Sequence, residues 1–365
     1  MSAAPESRAD RLAEALAAAE LDAILVGDMV RPGDSGREAM ADVSWLTGYR
    51  GTSGLVVVAP AGRWFVTDFR YLEVAAATVP ASFEVVDGTA DLIKAVAALL
   101  GDFPRVGVDE SRISVERHRK LAEALPDGIE LGAANGLLSG LRRIKDEAEI
   151  EAIAAAAALA DGVYGWIEQR GLAGRTEREI ALAAEQRMRE LGAEGPSFPS
   201  IVAAGPNGSR IHAEPSEREI GRGEYVVVDI GAIVDGYCSD CTRTLVEGDP
   251  DPAQREVYEL VLAAQAAALD AIAAGAGGRE IDAVARAVIE AAGHGERFGH
   301  GLGHGVGIEV HEPPRLSKRS DDVLQAGEVI TVEPGVYVPG EFGVRIEDLV
   351  IVTADGHRNL SSRPK

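Results

Sequence analysis

The chain is poor in cysteine, in aromatic side chains and in positive charge. It has two cysteines, and aromatic residues make up 5% of the sequence. Lysine and arginine number 36 against 59 aspartates and glutamates, which leaves a formal net charge of −23. Because such an acidic surface repels nucleic-acid phosphates and anionic lipid, we expect neither as a partner.

Long apolar runs are also missing. No uninterrupted apolar segment approaches the length that spans a bilayer. Residues 1–21 read as a charged, alanine-rich amphipathic helix without a cleavable apolar stretch. We therefore expect a cytoplasmic protein that does not contact a membrane. Its 365 residues, 46% of them hydrophobic, suffice for two or three domains with large cores.

The two cysteines, Cys238 and Cys241, are spaced as CxxC, a pattern typical of redox and zinc sites. They fall, however, in a predicted strand, where residues three apart point to opposite faces. The two thiols could not then hold one ion. We interpret them as small, partly buried side chains.

Hydrophobic periodicity divides the chain near residue 135. Residues 1–135 alternate between helix and strand patterns, with a hairpin at 54–67, and predict an α/β domain. Residues 136–365 contain four helix patterns and strand patterns at 225–234, 237–246, 329–333 and 343–353. They predict an α+β domain in which helices cover a curved antiparallel sheet, and the fold class of the whole chain is α+β.

Two aspartates lie in a hairpin around an Asp-Gly turn at 235–236, a dipeptide that favours a two-residue turn. If residues 234 and 237 pair, Asp229 lies opposite Thr242 and diagonal to Asp240, about 7–8 Å away at the backbone. A solvated acidic face is the alternative. The flanking valines argue against it, because a half-buried strand does not pair aspartates without a compensating charge.

Three histidines, His300, His304 and His311, lie in a segment with glycine at 299, 301, 303, 305 and 307. Glycine lets backbone and ligand approach closely. A nucleotide-binding loop is disfavoured, since the segment lacks a lysine-serine or lysine-threonine ending and a GxGxxG before a helix. A single histidine is more often structural, but three beside candidate carboxylates favour a functional site.

Two glutamates lie in later strand patterns. Glu333 is followed by Pro334, which limits continuation of the ladder. Glu347 shares one face of a predicted strand with Arg345, which we expect to hold its orientation. For either glutamate alone, a surface carboxylate is the alternative.

These segments together supply a candidate metal site of five side chains: Asp229, Asp240, His304, Glu333 and Glu347. Four carboxylates cannot share a small pocket unless positive charge neutralises them. Five such ligands would crowd one ion, but they suit two divalent ions that share bridging carboxylates. The sequence therefore predicts a two-metal hydrolase.

Several separated motifs resemble, in order, those of the creatinase, aminopeptidase P and prolidase family of pita-bread metallopeptidases. They are VDIGAIVDGYCSDCTRT, HGLGHGVGIEVHE, TVEPGVY and GVRIED. SWLTGYRGTSGLVVVAPAGRWFVTDFRYLEVA resembles that family's N-terminal domain, and FPSIVAAGPNGSRIHAEPSER its substrate-side histidine segment. The resemblance covers nearly the whole chain. It implies a creatinase-like N-terminal domain at 1–135 and a pita-bread catalytic domain at 136–365.

The resemblance also implies a cofactor of two Mn²⁺ ions, which Co²⁺ or Zn²⁺ can replace. In it, Asp240 and Glu347 bridge the ions, His304 and Glu333 complete one, and Asp229 binds the other. Bound metals lower the pKa of water, so a nucleophile for the peptide carbonyl is available at neutral pH.

Further roles are implied for residues around the metals. Glu333 also carries a proton, and His212 and His311 hold the substrate and stabilise developing charge. His300 and Arg345 line the site. The implied substrates are peptides with proline at the second position, from which the N-terminal residue is removed. A homodimer to which the N-terminal domains contribute is also implied.

We favour an Xaa-Pro aminopeptidase, but other functions stay open. An Xaa-Pro dipeptidase (prolidase) has the same catalytic motifs. A small-amide hydrolase, such as ectoine hydrolase, or a non-catalytic binding module would keep the fold. Creatine amidinohydrolases have replaced metal ligands, whereas all five are present here. Methionine aminopeptidases usually lack a large N-terminal α/β domain.

Overall fold

The computed structural model describes residues 5–30 and 38–365, so the first four residues of the predicted N-terminal helix segment lie outside it. The chain divides into two compact units, Met1–Arg142 and Arg143–Lys365. The functional boundary between 135 and 136 stays a prediction.

Unit 1 alternates helices and strands. Its elements are α1 (Pro5–Ala18), β1 (Ala23–Val26), α2 (Ala41–Thr47), β2 (Leu55–Ala59), β3 (Gly62–Thr67), α3 (Leu72–Thr78), β4 (Glu84–Asp87), α4 (Leu92–Leu100), β5 (Arg105–Val108), α5 (Val115–Ala124) and β6 (Glu130–Ala133). A further helix, α6 (Leu137–Arg143), runs over the division between the units.

The six strands of unit 1 form one mixed sheet in the order β4-β3-β2-β1-β5-β6. The central strands β1, β2 and β3 are antiparallel, whereas β4, β5 and β6 join in parallel. Ala59 pairs with Gly62 at the hairpin turn, so the predicted hairpin is confirmed. Alternate residues of β2, Leu55 and Val57 among them, pack with Val96 and Leu100 of α4 in one core.

Unit 2 has four long helices and many short strands. They are α7 (Glu147–Arg170), α8 (Glu177–Glu190), β7 (Gly195–Pro196), β8 (Ile201–Ala204), β9 (Tyr225–Ile230), β10 (Ala232–Val234), β11 (Tyr237–Cys238), β12 (Cys241–Val246), α9 (Pro252–Asp270), α10 (Gly278–Ala291), β13 (Gly303–Gly305), β14 (Glu312–Leu316), β15 (Val329–Val332), β16 (Gly335–Val338), β17 (Phe342–Arg345), β18 (Asp348–Val352) and β19 (His357–Asn359).

The four predicted helices of unit 2 are present, and side chains cap the N-termini of α7, α8 and α9. Capping boxes start α7, from Asp146 and Glu149, and α8, from Thr176 and Glu179. In each box a side chain accepts from an otherwise unpaired helix N–H at the first turn. The prediction of Thr176 as an N-cap is confirmed.

Helix α7 is the one described helix that is long and apolar enough, by length and composition, to cross a membrane. Of its apolar window, 44% is buried inside the protein. The Tyr164 hydroxyl of α7 lies 2.9 Å from Val228 O and 2.7 Å from Cys241 O. The helix thus packs against β9 and β12, as a core helix does.

The strands of unit 2 pair in antiparallel groups: β11-β10-β7, β12-β9-β8, β14-β13-β15-β18-β19 and β16-β17. In the hairpin, Val234 pairs with Tyr237 and Asp229 with Thr242, so the predicted register is confirmed. The predicted α+β catalytic domain, with its antiparallel sheet, is confirmed as well.

Several strands are shorter than predicted, because the ladder breaks inside the sequence pattern. The hairpin strands break at Gly231 and at 239–240, the last strand breaks at 346–347, and β15 ends before Glu333. A Cβ on Gly231 would lie 2.0 Å from Ser197 Oγ and from Ser239 O. The chains approach too closely there for a regular ladder. Asp240 and Glu347 lie in these breaks, and Glu333 follows the end of β15.

Both cysteines are buried free thiols. Cys238 Sγ lies 3.5 Å from Ile308 O, and Cys241 Sγ lies 3.7 Å from Glu347 O. The break at 239–240 lies between them, so simple strand alternation does not relate their directions. Their different partners support the interpretation as separate packing residues.

Candidate metal centre

Three carboxylates converge in unit 2. One oxygen each from Asp229, Asp240 and Glu347 lies within 4.8 Å of the other two. Asp229 belongs to β9, while Asp240 and Glu347 come from the two strand breaks. A strand break frees the main chain to turn its side chain inward, so the breaks create the cluster.

A histidine and a fourth carboxylate lie beside this cluster. His304 Nε2 is 3.3 Å from Glu333 Oε1 and 3.6 Å from Asp240 Oδ2. His304 Nδ1 is 3.1 Å from Gly305 O. A carbonyl oxygen can only accept, so Nδ1 carries a proton and donates to it, which leaves Nε2 facing the carboxylates. This is the ring orientation that a metal ligand needs.

The cluster concentrates negative charge in a small volume. Burial, then the charges of Glu347, Asp229 and Glu333, holds the pKa of Asp240 well above its usual range. Burial and the charges of Glu333 and Asp229 do the same for the pKa of Glu347. The pKa of Asp229 is raised by burial, against the opposing charge of Arg345. A divalent cation would reverse all three shifts.

Glu333 behaves differently. Burial acts to raise its pKa, but the hydrogen bond and charge of His304, with the charges of His300 and Arg345, lower the pKa to about 2. Thr331 Oγ1 also donates to Glu333 Oε1, at 3.2 Å. Glu333 is therefore ionised at neutral pH.

Two carboxylate oxygens of the cluster are free to bind a cation. Asp229 Oδ1 and Glu347 Oε1 are buried and have no hydrogen-bond partner among the described residues. The other oxygen of each is fixed, Asp229 Oδ2 by Arg345 Nη2 at 2.7 Å and Glu347 Oε2 by Thr242 Oγ1 at 2.8 Å. Unpaired buried carboxylate oxygens are costly without a positive partner. With the His304 nitrogen they form a donor set that fits Mn²⁺, Co²⁺ or Zn²⁺.

Arg345 does not take the partner that the sequence suggested. Its guanidinium donates to Asp229, to Thr242 Oγ1 at 3.0 Å and to Tyr337 Oη at 2.9 Å. The predicted orientation of Glu347 by Arg345 is wrong as a direct contact, since Thr242 stands between them. The alternation that placed both on one face fails because β17 ends at Arg345.

The other predicted residues line the same cavity, whose volume is about 580 Å³. His311 packs its ring 4.4 Å from that of His304, and burial, then the charges of His304 and Arg315, lower its pKa to about 4. His300 Nε2 lies 2.9 Å from Tyr337 Oη, and burial lowers the pKa of His300. His212 lines the cavity from an exposed position.

Sequence reasoning missed three residues of the site. Tyr337 joins His300 and Arg345, and Thr242 joins Arg345 and Glu347. Both lie within the quoted motifs TVEPGVY and TRT. Arg315 lines the cavity from β14, three residues beyond the histidine motif, where no spacing rule singles it out.

The chain resembles known peptidases over most of its length. It matches the metallopeptidase family M24 over residues 151–354 and the Creatinase/Prolidase N-terminal domain over residues 8–144. The Bacillus subtilis peptidase YqhT is 38% identical over 326 residues, which cover 89% of this chain and 92% of that protein.

Solved structures agree with these matches. An Xaa-Pro dipeptidase from Bacillus anthracis has a TM-score of 0.92 and 36% identity, covering 99% of this chain and 98% of that chain. An X-Pro aminopeptidase from Thermotoga maritima MSB8 has a TM-score of 0.87 and 34% identity, covering 98% of both chains. From these matches, the chain belongs to metallopeptidase family M24 and is a hydrolase with a creatinase-like N-terminal domain and a pita-bread catalytic domain.

Proposed function

We propose that the protein is a dinuclear Xaa-Pro peptidase whose catalytic domain holds two divalent ions, with Mn²⁺ the proposed metal. Asp240 and Glu347 would be shared between the ions, His304 and Glu333 would complete one, and Asp229 would bind the other. The observation that carries this proposal is the pair of buried oxygens, Asp229 Oδ1 and Glu347 Oε1, beside an Asp240 that also faces His304.

When bound, the ions supply Lewis acidity and lower the pKa of water to near neutrality. The chain supplies proton transfer. Glu333 Oε1 is held by Thr331 and His304, so Oε2 is the atom that we propose takes a proton from the attacking water and passes it to the departing proline nitrogen. Its pKa of about 2 keeps the carboxylate ionised at neutral pH.

The cavity histidines would bind substrate and stabilise charge. With a pKa of about 4, His311 is neutral at pH 7, and a neutral imidazole N–H can donate to the oxygen on which negative charge develops. We propose that His212 assists from a turn that lines the cavity, and that His300 and Arg345 position the substrate end of the site.

The proposed substrates are peptides with proline in second position, after the printed activities of the solved relatives. The proposed activity is that of an aminopeptidase acting in the cytoplasm as a homodimer. A peptide panel with Mn²⁺ tests this: Ala-Pro-containing peptides are cleaved before proline and matched Ala-Ala peptides are not. Turnover of ectoine with no Xaa-Pro cleavage would contradict the proposal and favour the small-amide alternative.

An Xaa-Pro dipeptidase is the second candidate, and Arg315 favours it. Arg315 pairs with His304 in the ladder between β13 and β14, and it lines the cavity. A guanidinium there can bind the terminal carboxylate of a dipeptide in a bidentate manner. A longer peptide would place its carboxylate elsewhere.

One variant distinguishes the aminopeptidase from the dipeptidase. For a dipeptidase, Arg315→Ala lowers kcat/KM for Ala-Pro by about 10- to 100-fold, since a charged hydrogen bond is worth about 1.5–3 kcal/mol. The low residual cleavage of Ala-Pro-Ala-Ala, whose carboxylate lies elsewhere, stays unchanged. The exposed Arg319→Ala serves as the matched control. An equal loss of kcat/KM for both peptides would favour the aminopeptidase.

A further inference from the structure

The last residues of the chain pack against the strands that carry Glu347, on the side away from the metal centre. Residues 362–365, together with Arg243 and Asp348, form a connected group that we call the C-terminal clasp. The Arg243 side chain is 1% exposed and that of Asp348 is 0% exposed. An ion pair so deeply buried is stable only if its remaining donors and acceptors are satisfied.

Arg243 connects the end of the chain to Glu347. Its Nε lies 3.2 Å from Arg363 O and 3.3 Å from Pro364 O, and its Nη2 lies 2.7 Å from Arg363 O. Nη2 also lies 2.9 Å from Asp348 Oδ1, and Nη1 donates to the main-chain oxygen of Glu347. One rigid guanidinium therefore joins the end of the chain to Glu347 of the candidate metal centre.

Asp348 is held from the same direction. Its Oδ2 accepts from Lys365 Nζ at 2.6 Å and from Asn359 Nδ2 at 2.9 Å. The end of the chain is itself fixed to α7, where Ser362 N donates to Asp161 at 2.6 Å and Arg363 Nε lies 3.2 Å from Glu168 Oε1. The clasp is thus anchored on a long helix.

Thr242 and Arg243 are neighbours in β12, so their side chains point to opposite faces. Thr242 and Glu347 meet on one face, where Thr242 Oγ1 donates to Glu347 Oε2. Arg243 and Asp348 meet on the other. Glu347 lies in a strand break, where its N–H donates to Thr242 O at 3.1 Å and its main-chain oxygen accepts from Arg243 Nη1. The contact from Arg243 therefore holds the carbonyl side of the residue.

We propose that the C-terminal clasp positions Glu347 for metal binding, and that its removal weakens the binding of divalent ions while all five ligand side chains remain. This inference rests on the proposed role of Glu347 as a metal ligand. It assigns Arg243, Asp348 and the main chain of 363–364 as positioning groups that do not touch the ions.

The test deletes residues 363–365 and measures Mn²⁺ affinity by calorimetry and chelator competition. We expect affinity to fall by about 10- to 100-fold, as when a group that orients a ligand is lost. The matched control is Arg363→Ala, which removes the ion pair with Glu168 but keeps the main-chain oxygen that Arg243 contacts. The control should bind Mn²⁺ like the full chain.

A second readout separates positioning from plain loss of stability. A ligand raises the melting temperature according to its affinity for the folded state. A purely structural tail would lower the Tm of the metal-free protein but leave the rise caused by Mn²⁺ unchanged. The clasp predicts a smaller rise in the deletion variant than in the full chain.

If the deletion variant does not fold, the near-isosteric variant Asp348→Asn tests the inference instead. It weakens the ion pairs of residue 348 with Arg243 and Lys365 without shortening the chain. Unchanged Mn²⁺ affinity and an unchanged Mn²⁺-induced Tm rise in the folded variant would overturn the inference alone. Failure of the full chain to bind Mn²⁺ would overturn the proposed function, and this inference with it.

Discussion

In the two sides of the candidate metal centre, the pKa values of the buried carboxyl groups shift in opposite directions. The carboxylate side consists of Asp229, Asp240 and Glu347, and the histidine side of Glu333, His304 and His311. On the carboxylate side, burial and mutual repulsion raise every pKa. On the histidine side, burial also raises the pKa of Glu333, but His304, His300 and Arg345 together outweigh it and lower that pKa to about 2.

The difference indicates where the proposed ions would be needed. The histidine side neutralises much of its own charge, whereas the carboxylate side has only Arg345 and Thr242 against three acids among the contacts described above. Two of its buried oxygens lack a protein donor within the described residues. We infer that metal binding stabilises the carboxylate side most, and that the histidine side serves proton transfer and substrate binding.

The largest expected effect comes from Asp240, which touches both sides. Asp240→Ala should lower kcat/KM by at least about 10³-fold, because a bridging ligand serves both ions and its loss removes several kcal/mol of transition-state stabilisation. Metal content by mass spectrometry should fall as well. The exposed Asp355→Ala is the control. Near-normal turnover in Asp240→Ala would contradict the proposed role of Asp240 as a ligand shared by both ions.

His311 should separate catalysis from metal binding. His311→Ala should lower kcat by about 10²–10³-fold, the usual cost of removing one donor to a developing oxyanion. Bound metal should stay at the level of the unchanged protein, since His311 lies against His304 without belonging to the ligand set. Loss of metal from this variant would mean that the histidine side also holds an ion through His311.

Arg345 tests the support of the carboxylate side. Arg345→Lys keeps the charge but cannot reach Asp229, Thr242 and Tyr337 together, because an ammonium lacks the planar fork. We expect Mn²⁺ affinity to fall by about tenfold or more. Arg218→Lys, at the partly exposed pair with Glu224, is the control. Equal affinities in the two variants would show that Asp229 needs no orientation.

The smallest effect is on stability without metal. A carboxyl with a raised folded pKa binds more protons folded than unfolded, so Asp240 and Glu347 make the free energy of unfolding fall as pH rises above their unfolded values, about 4. Glu333 has the opposite sign: its contribution is present above its unfolded pKa and is lost as pH falls through about 2.

Thermal unfolding between pH 4.5 and 8 checks this sign. Without metal, the melting temperature should fall with rising pH by more than it does with saturating Mn²⁺, so the Mn²⁺-induced rise should grow with pH. Parallel curves would show that the carboxylate side is not destabilised by its own charge.

The sequence predicted regular elements well, because caps, turns and periodicity are local signals. Thr176 and the Asp-Gly turn at 235–236 marked a helix start and a hairpin register that the structure confirms. The sequence did not predict the interruptions of the strands at 239–240 and 346–347. They depend on close approach between segments that are far apart in the sequence, as Ser197 and Gly231 show.

The same limit applies to the site. The hairpin register and the resemblance brought five candidate ligands into consideration, and the structure places these side chains close together. The partner of Arg345 could not be predicted, because it depends on where β17 ends. The clasp was also out of reach, since it joins residues more than 100 positions apart through main-chain oxygens.

The most direct measurement is anomalous scattering from crystals of the protein grown with Mn²⁺, with data collected at the manganese edge. Two peaks are predicted, one among Asp229, Asp240 and Glu347, and one among Asp240, Glu333 and His304. A single peak, or peaks away from these side chains, would contradict the two-ion centre on which the proposed function depends.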